Sequence, residues 1–245
     1  HVVAYRGRET RVRSYPISID IDEVREVAAS ARASKYDAEM RNLLGEQTIV
    51  RVDRAEPSKN IVRGFIAFGI LLDHYPELVG KVRFLAYLVP SRTHIRQYQR
   101  YLGEIDTAIR HVNAKFRKPG YEPIQVFYEN NYIQAVTAMR LYDVLLVNPV
   151  IDGMNLVAKE GPIVNEKDGV LILSETAGAY EQLKVGALPV APADVEGTAR
   201  ALYQALAMDH TERRERAVAM RDNIEREDTT AWLHHQLTDI SALPD

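Results

Sequence analysis

From residue 47 onward, short runs rich in β-branched residues alternate with longer segments of helical periodicity. This alternation constrains the fold more than any other feature of the chain, because it is the pattern of a parallel sheet covered by helices on both faces. Strands are expected at Thr48–Val52, Val82–Leu88, Ile124–Tyr128, Val144–Asn148, Val170–Ser174 and Ala187–Val190. The near-continuous apolar runs VLLVN and VLILS read as strands buried on both faces, as parallel sheets require. Helices are expected at Asn60–His74, Thr93–Phe116, Tyr132–Leu141, Asn155–Glu160, Tyr180–Leu183 and Asp194–Met208. In the first of these, Ile61, Phe65, Phe68, Leu71 and Leu72 recur every three to four residues and mark a buried stripe. Asp194 and Thr211 are candidate N-caps, and Pro76, Pro123 and Pro149 fall where elements should end.

On either side of this region the character of the chain changes. Asp20–Glu46 is helical and highly charged and reads as a surface helix pair leading into the sheet. The tail from Thr229 through Ile240 places Trp232, Leu233, Leu237 and Ile240 on one helical face, which needs a partner surface. His1 opens directly into a strand-like stretch with neither methionine nor cap, so the chain reads as already under way and upstream sequence is expected.

With 245 residues, 46% hydrophobic and 27% charged, the chain can bury a substantial core. No apolar run approaches the roughly 18 residues that span a bilayer, and a cytoplasmic protein is the default reading. The absence of cysteine excludes disulfides, thiolate ligands and thiol nucleophiles. A net charge of −3 gives no global attraction to nucleic acid or membrane, so an anion site must be a local cluster.

Neither G-x-x-x-x-G-K-[ST] nor G-x-G-x-x-G occurs, which argues against a P-loop or dinucleotide site. The adjacent His234 and His235 point about 100 degrees apart on a helix and do not form a metal pair. Three strand ends carry the chemistry instead. In VLLVNPVIDGMNLVAKEGPIV a buried strand runs through a turn at Pro149–Gly153 into a helix beginning near Asn155, so that free backbone N–H groups converge where an anion is favoured. Gly153 lets backbone approach a ligand closely. Asp152 is placed to accept hydrogen bonds from sugar hydroxyls, and Glu160 to bind a ribose diol. In RVDRAEPSKN, Arg54 and Lys59 follow the first strong strand and offer a planar fork and a compact charge to phosphate oxygens. Pro90-Ser91-Arg92 follows the next strand. Their convergence on the carboxyl edge of one sheet marks a ligand crevice.

These residues resemble the C-terminal half of the trehalose-6-phosphate synthases, retaining glycosyltransferases of the GT-B type. The resemblance runs from YPISID through R-x-[DE]-x-x-K at Arg54, Glu56 and Lys59 to DGMNLVAKE and the tryptophan helix. It implies a Rossmann-like parallel sheet forming the C-terminal nucleotide-binding domain of a GT-B fold. The implied division is 1–46 as the end of an N-terminal region with connecting helices, 47–228 as the donor-binding domain, and 229–245 as a C-terminal crossover helix.

By position, the resemblance gives Arg54 and Lys59 the donor diphosphate, and Asp152 the donor sugar ring. Gly153, Met154, Asn155, Leu156 and Val157 would contact sugar and phosphates, and Glu160 the ribose. The stretch from Asn130 to Ala135 would line the nucleobase, and Arg92 would help to hold the acceptor's phosphate. No metal or other cofactor is implied. The partners would be a nucleoside-diphosphate sugar (UDP- or GDP-glucose type) and a phosphorylated sugar or cyclitol acceptor, with the remaining catalytic wall on a missing N-terminal domain. A homo-oligomer is compatible with this reading. Without that domain the 245 residues are expected to show no turnover. One departure stands out: the family usually reads RLDYxKG, whereas Pro57 and Asn60 here resemble the validoxylamine-7-phosphate synthase branch, whose members couple cyclitols. DGMNLVAKE follows the sugar-transferring members. A family member retained for regulation or scaffolding would usually lose charged donor residues, and here Arg54, Lys59, Asp152 and Glu160 are all present.

Overall fold

The computed structural model describes residues 1–243. Two short strands, β1 (Val2–Tyr5) and β2 (Arg8–Arg11), form an exposed antiparallel hairpin. Two helices follow, α1 (Ile21–Ala29) and α2 (Ala31–Arg41), separated at Ser30, which ends the first and caps the second by accepting from Ala33 N–H. They are the expected charged pair, and α2 buries only Ala33 and Met40.

The main sheet is built from β3 (Gln47–Arg54), β4 (Val82–Val89), β5 (Ile124–Tyr128), β6 (Val144–Val147), β7 (Val170–Ser174) and β8 (Leu188–Val190). All neighbours pair in parallel, in the order β5-β4-β3-β6-β7-β8. The connections are α3 (Ile61–His74), α4 (Arg96–Phe116), α5 (Tyr132–Arg140), α6 (Val157–Val164) and α7 (Tyr180–Leu183). After the last strand come α8 (Val195–Ala207), α9 (His210–Arg226) and α10 (Thr229–Ser241).

Alternation along the strands divides the core into two layers. Ile49, Phe84, Ala86, Leu88, Val144, Leu146 and Ile172 face α3, α4 and α8, whereas Val50, Leu85, Leu145, Val147, Leu171 and Leu173 face α1, α5, α6 and α9. The predicted stripe of α3 is buried throughout, and Phe65 and Phe68 both meet the Phe84 ring edge-on at 5.1 and 5.4 Å. Edge-on packing suits the quadrupoles of the rings and adds to the gain from their burial.

Three expectations need correction. The helix after β6 begins at Val157, because Asn155 takes a left-handed φ of +78° and its side chain accepts from Ala158 N–H, so the residue caps the helix from outside it. Helix α4 begins at Arg96, after a turn in which Ile95 N–H donates to Arg92 O. Asp209, not Thr211, caps α9: its carboxylate accepts from both Thr211 and Glu212 N–H, and an aspartate two residues earlier is the stronger acceptor for those free donors. The smaller shifts lie at element ends, as where α8 starts one residue after Asp194 because that residue caps it from outside.

The segment preceding α1 runs between α6 and α10. Trp232 is half-buried and donates its indole N–H to Tyr15 O at 3.0 Å, Tyr15 donates to Asp239 at 2.7 Å, and Thr229 N–H donates to Ile19 O at 3.2 Å. Leu233, Leu237 and Ile240 remain exposed on α10, as the tail's apolar face suggested. From the other side, buried Lys159 of α6 donates to Ile17 O at 2.9 Å and approaches Ser18 Oγ at 3.4 Å. Burial lowers this ammonium from 10.5 to about 8, against a small opposing effect of Glu227. Between those values the unfolded chain binds the proton that the folded chain releases, so the Lys159 contribution to stability rises with pH from about 8 to 10.5. In urea unfolding across this range, the difference in stability between the protein and Lys159→Met should change with pH in that direction; a constant difference would contradict the burial of a charged lysine.

Candidate active site

The strand order reverses between β3 and β6: the chain moves outward from β3 through β4 to β5, then returns to place β6 on the other side of β3. A crevice opens beyond the carboxyl ends of strands at such a switch point. The loops leaving β3 and β6 meet there. Val150 N–H donates to Ser58 O at 2.8 Å, and the Asn60 amide donates to Asn148 O at 3.0 Å and Pro192 O at 2.8 Å, tying the ends of three strand–helix connections together. Asn60 has φ +59°, a left-handed conformation that glycine adopts freely and asparagine tolerates best among the others. Asparagine at position 60 thus suits the backbone this turn requires.

The first loop is held from beneath by a charged pair. Alternation along β3 points Arg51 and Asp53 to the same buried side, where Arg51 Nε donates to Asp53 Oδ2 at 2.8 Å and Arg51 Nη2 donates to Lys59 O. Arg51 is wholly buried, and it fits against α3 only because residue 64 is glycine: a Cβ there would lie 2.4 Å from Nη1. Pro57–Lys59 form a short 3-10 turn that projects the Lys59 side chain back over β3. Its Nζ lies 2.5 Å from Asp152 Oδ2 and 3.8 Å from Asp53 Oδ1, so one ammonium serves two carboxylates. Arg54 is more open and pairs with Glu56 Oε1 at 2.7 Å, an oxygen that also accepts from Ser91 Oγ at 3.0 Å. The loops after β3 and β4 are joined through that glutamate.

On the other wall, Asp152 sits on the turn between β6 and α6. The turn is held by the segment after β7: Asp152 N–H donates to Thr176 O at 3.3 Å, Gly178 N–H to Asp152 O at 2.9 Å and Ala179 N–H to Met154 O at 2.9 Å. Asn155 Nδ2 donates to Asp152 Oδ2 at 3.1 Å. Burial raises the Asp152 carboxyl, but the Lys59 ammonium and the hydrogen bonds from Asn155 and the Met154 N–H outweigh it and hold the group below its ordinary value. Asp53, with less access to water, moves the other way: burial dominates and raises it, against Arg51 and Lys59. Asp152 is therefore the firmly ionised partner of Lys59.

Between the walls lies a pocket of about 240 Å³. Of the sequence-predicted residues, Arg54, Lys59, Ala135, Asn155, Leu156, Val157 and Glu160 line it. Asp152 belongs to it through Lys59. Gly153 and Met154 form the turn rather than the pocket wall, and the space where a Gly153 Cβ would stand is open. Two residues lie apart. Asn130 is exposed on the loop after β5, and Arg92, at φ +46°, turns away on the loop after β4, donating to Tyr98 OH at 2.9 Å and lying over its ring. Tyr132, within the expected Asn130–Ala135 stretch, donates to Glu160 Oε1 at 3.2 Å. Val52, Asp53, Val89 and Met139, which the sequence reading did not name as site residues, also line the pocket. Burial raises Glu160 above its ordinary value, with the Tyr132 hydrogen bond opposing and Glu23 adding to the shift. Period-two alternation would have found Asp53, which shares a face with Arg51.

Chemically, this arrangement presents two cations and a set of helix-edge N–H groups to one end of a pocket whose other end is a carboxylate. It suits an anionic ligand with a hydroxylated extension. Glycosyltransferase family 20 matches residues 1–242. The chain belongs to that family. A trehalose-6-phosphate synthase of Sodalis glossinidius is 36% identical over 237 residues, covering 95% of this chain and 50% of its own length. A bifunctional trehalose-6-phosphate synthase/phosphatase of Thermoproteus tenax is 36% identical over 236 residues, covering 94% of this chain and 32% of the relative. Among solved structures, the E. coli protein bound with UDP-2-fluoro glucose superposes with a TM-score of 0.89 at 31% identity, over 100% of this chain and 56% of that one. The Burkholderia xenovorans synthase in complex with glucose-6-phosphate gives 0.91 at 32% identity, over 98% of this chain and 54% of that one. This chain thus spans about half the length of most of the relatives it matches. The parallel sheet with helices on both faces is that of the GT-B trehalose-phosphate synthases it superposes on, as the motifs implied.

In this family member the turn bearing Asp152 depends on Gly178, where a Cβ would lie 2.0 Å from Gly153 O and 2.7 Å from its carbonyl carbon. Backbone, not a flexible side chain, would have to yield. Gly178→Ala is expected to destabilise the fold by about 1–3 kcal/mol, measured by urea unfolding, and stability equal to the parent would show that the turn moves freely.

Proposed function

We propose that this chain forms the donor wall of a retaining glycosyltransferase that moves glucose from a UDP- or GDP-glucose type donor to a sugar phosphate such as glucose 6-phosphate, giving trehalose 6-phosphate or a related product. The observation that carries this reading is the Lys59–Asp152 pair at the switch point, at the mouth of a pocket that ends on Glu160. The two solved relatives described above, one bound with a UDP-sugar analogue and the other with glucose-6-phosphate, support the choice of ligands.

On this reading the donor diphosphate replaces Asp152 at the Lys59 ammonium and adds Arg54 and the N–H groups of residues 154–157. Asp152, released, accepts from the sugar hydroxyls, and Glu160 accepts from the ribose. The Asn130–Ala135 stretch lies along the base, and Arg92 turns inward to the acceptor's phosphate. When the bond between the anomeric carbon and the diphosphate oxygen breaks, negative charge collects on the phosphate. Fixed cations placed there stabilise the transition state more than the ground state. Lys59, held in advance by Asp53 and Asp152, needs little reorganisation to do so. The acceptor's opposite wall is assigned to the additional length that the relatives possess, so this chain alone binds nucleotide without turnover.

The Pro57-Ser58-Lys59-Asn60 turn supports a second reading, in which the same wall holds a nucleotide-activated cyclitol for coupling to an amino-cyclitol phosphate. Competition between UDP-glucose and a nucleotide-activated cyclitol separates the two, with tight binding of UDP-glucose favouring sugar transfer.

Calorimetry with UDP, GDP and ADP identifies the base and tests the site. Because hydrogen bonds to charged groups contribute about 1.5–3 kcal/mol, Lys59→Ala and Arg54→Ala should each weaken binding of the preferred nucleotide roughly tenfold or more. Unchanged affinity in both variants would place the diphosphate elsewhere.

A further inference from the structure

Tyr132 opens α5 directly after the cap residue Asn131, whose side chain accepts from Gln134 N–H and donates to Tyr36 OH of α2 at 2.8 Å. Asn131 therefore ties the start of α5 both to its own first turn and to α2. The Tyr132 phenol reaches across the pocket to α6 and donates to Glu160 Oε1, while Glu160 Oε2 has no hydrogen-bond or ion-pair partner among the described residues. This pairing is not explained by packing, since Tyr132 is 45% exposed and lies at the rim. An O–H···O contact of 3.2 Å is longer than the usual 2.5–3.0 Å, so the phenol guides the carboxylate without locking it.

We infer that Tyr132 is a positioning residue for the nucleotide's ribose, holding the Glu160 carboxylate by one oxygen and leaving the other to accept a ribose hydroxyl. The inference rests on the reading of Glu160 as the ribose-binding group. Its physical basis is a carboxylate in an unfavourable place. Glu160 is partly withdrawn from water, and the nearby Glu23 of α1 repels its charge, so both influences favour a protonated group that accepts poorly. The Tyr132 hydrogen bond is the influence that opposes them. Other charged groups at the pocket are Asp53 and Arg54 at the end of β3 and Lys59 on the turn after it, and the neighbouring Lys159 on α6 is directed to Ile17 instead. A phenol supplies the donor without bringing a second charge, which a lysine there would do beside the diphosphate.

The test compares UDP with inorganic pyrophosphate, which has the charges but no ribose, on the protein, Tyr132→Phe, Glu160→Gln and the double variant. Because Tyr132 acts on UDP only through Glu160, its loss should weaken UDP binding by less than a direct charged hydrogen bond would, about fivefold in Tyr132→Phe, with pyrophosphate unchanged and the double variant no weaker than Glu160→Gln. Because the phenol holds Glu160 ionised, the acid-side loss of UDP binding should also move to higher pH in Tyr132→Phe, and no such movement should occur in the Glu160→Gln background. Wild-type UDP affinity in Tyr132→Phe, with Glu160→Gln weakened, would overturn the role of Tyr132 and leave the donor site standing. Equal weakening of UDP and pyrophosphate by Tyr132→Phe would overturn it as well, since the effect would then be general. Unchanged UDP binding in Glu160→Gln would instead remove the ribose reading on which the inference stands.

Discussion

A single ammonium, that of Lys59, joins the two halves of the sheet at its carboxyl edge. It lies against Asp152 from the β6 side and within 3.8 Å of Asp53 from the β3 side. Beneath it the buried Arg51–Asp53 pair holds the Lys59 carbonyl and so fixes where the loop can go. Ion pairs removed from water contribute little net stability, because desolvation offsets most of their attraction, but removing one partner leaves a charge that nothing compensates. Such a network therefore specifies geometry more than it adds stability. The rest of the crevice follows from it: the αL turn at Asn60, the glycine at 64 that admits Arg51, and the 176–179 segment that supports Asp152.

That geometry also explains why this site suits anions. An isolated lysine on a loop would be mobile and hydrated. Lys59 is already oriented and largely desolvated, with a side chain only 12% exposed, so on the proposed reading an incoming diphosphate would exchange one negative partner for another. Asp53 and Asp152 offset the charge of Lys59, and on the proposed reading Asp152, once exchanged, would have an oxygen for the sugar. The same pair thus serves both phosphate and sugar recognition in the proposed reaction, with the N–H groups before α6 completing the anion site.

Much of this was readable in the chain. The strand–helix alternation predicted all six strands of the main sheet and its parallel sense, because buried parallel strands leave a continuous apolar signal that exposed hairpins do not. The motifs around Arg54, Lys59 and Asp152–Glu160 led to one crevice because residues after successive parallel strands must share an edge. What escaped was tertiary. Tyr132 falls in the stretch expected along the base, but its contact with Glu160 appears only when α5 and α6 are placed side by side. Gly178 is one small residue in a turn until the backbone of Gly153 is found against it. Lys159 sits within the DGMNLVAKE motif without a role assigned to it, and it turns inward because residues 17–18, about 140 positions earlier, supply its acceptors. Thr211 lost its place as a cap because Asp209 offers the stronger acceptor.

The exchange at Lys59 is open to direct observation. A crystal structure of the protein with UDP should show Lys59 Nζ about 3 Å from a phosphate oxygen, with the contact to Asp152 Oδ2 broken and the uridine extending towards Glu160. UDP bound with the Lys59–Asp152 pair intact, and its phosphates remote from Arg54 and Lys59, would contradict the account.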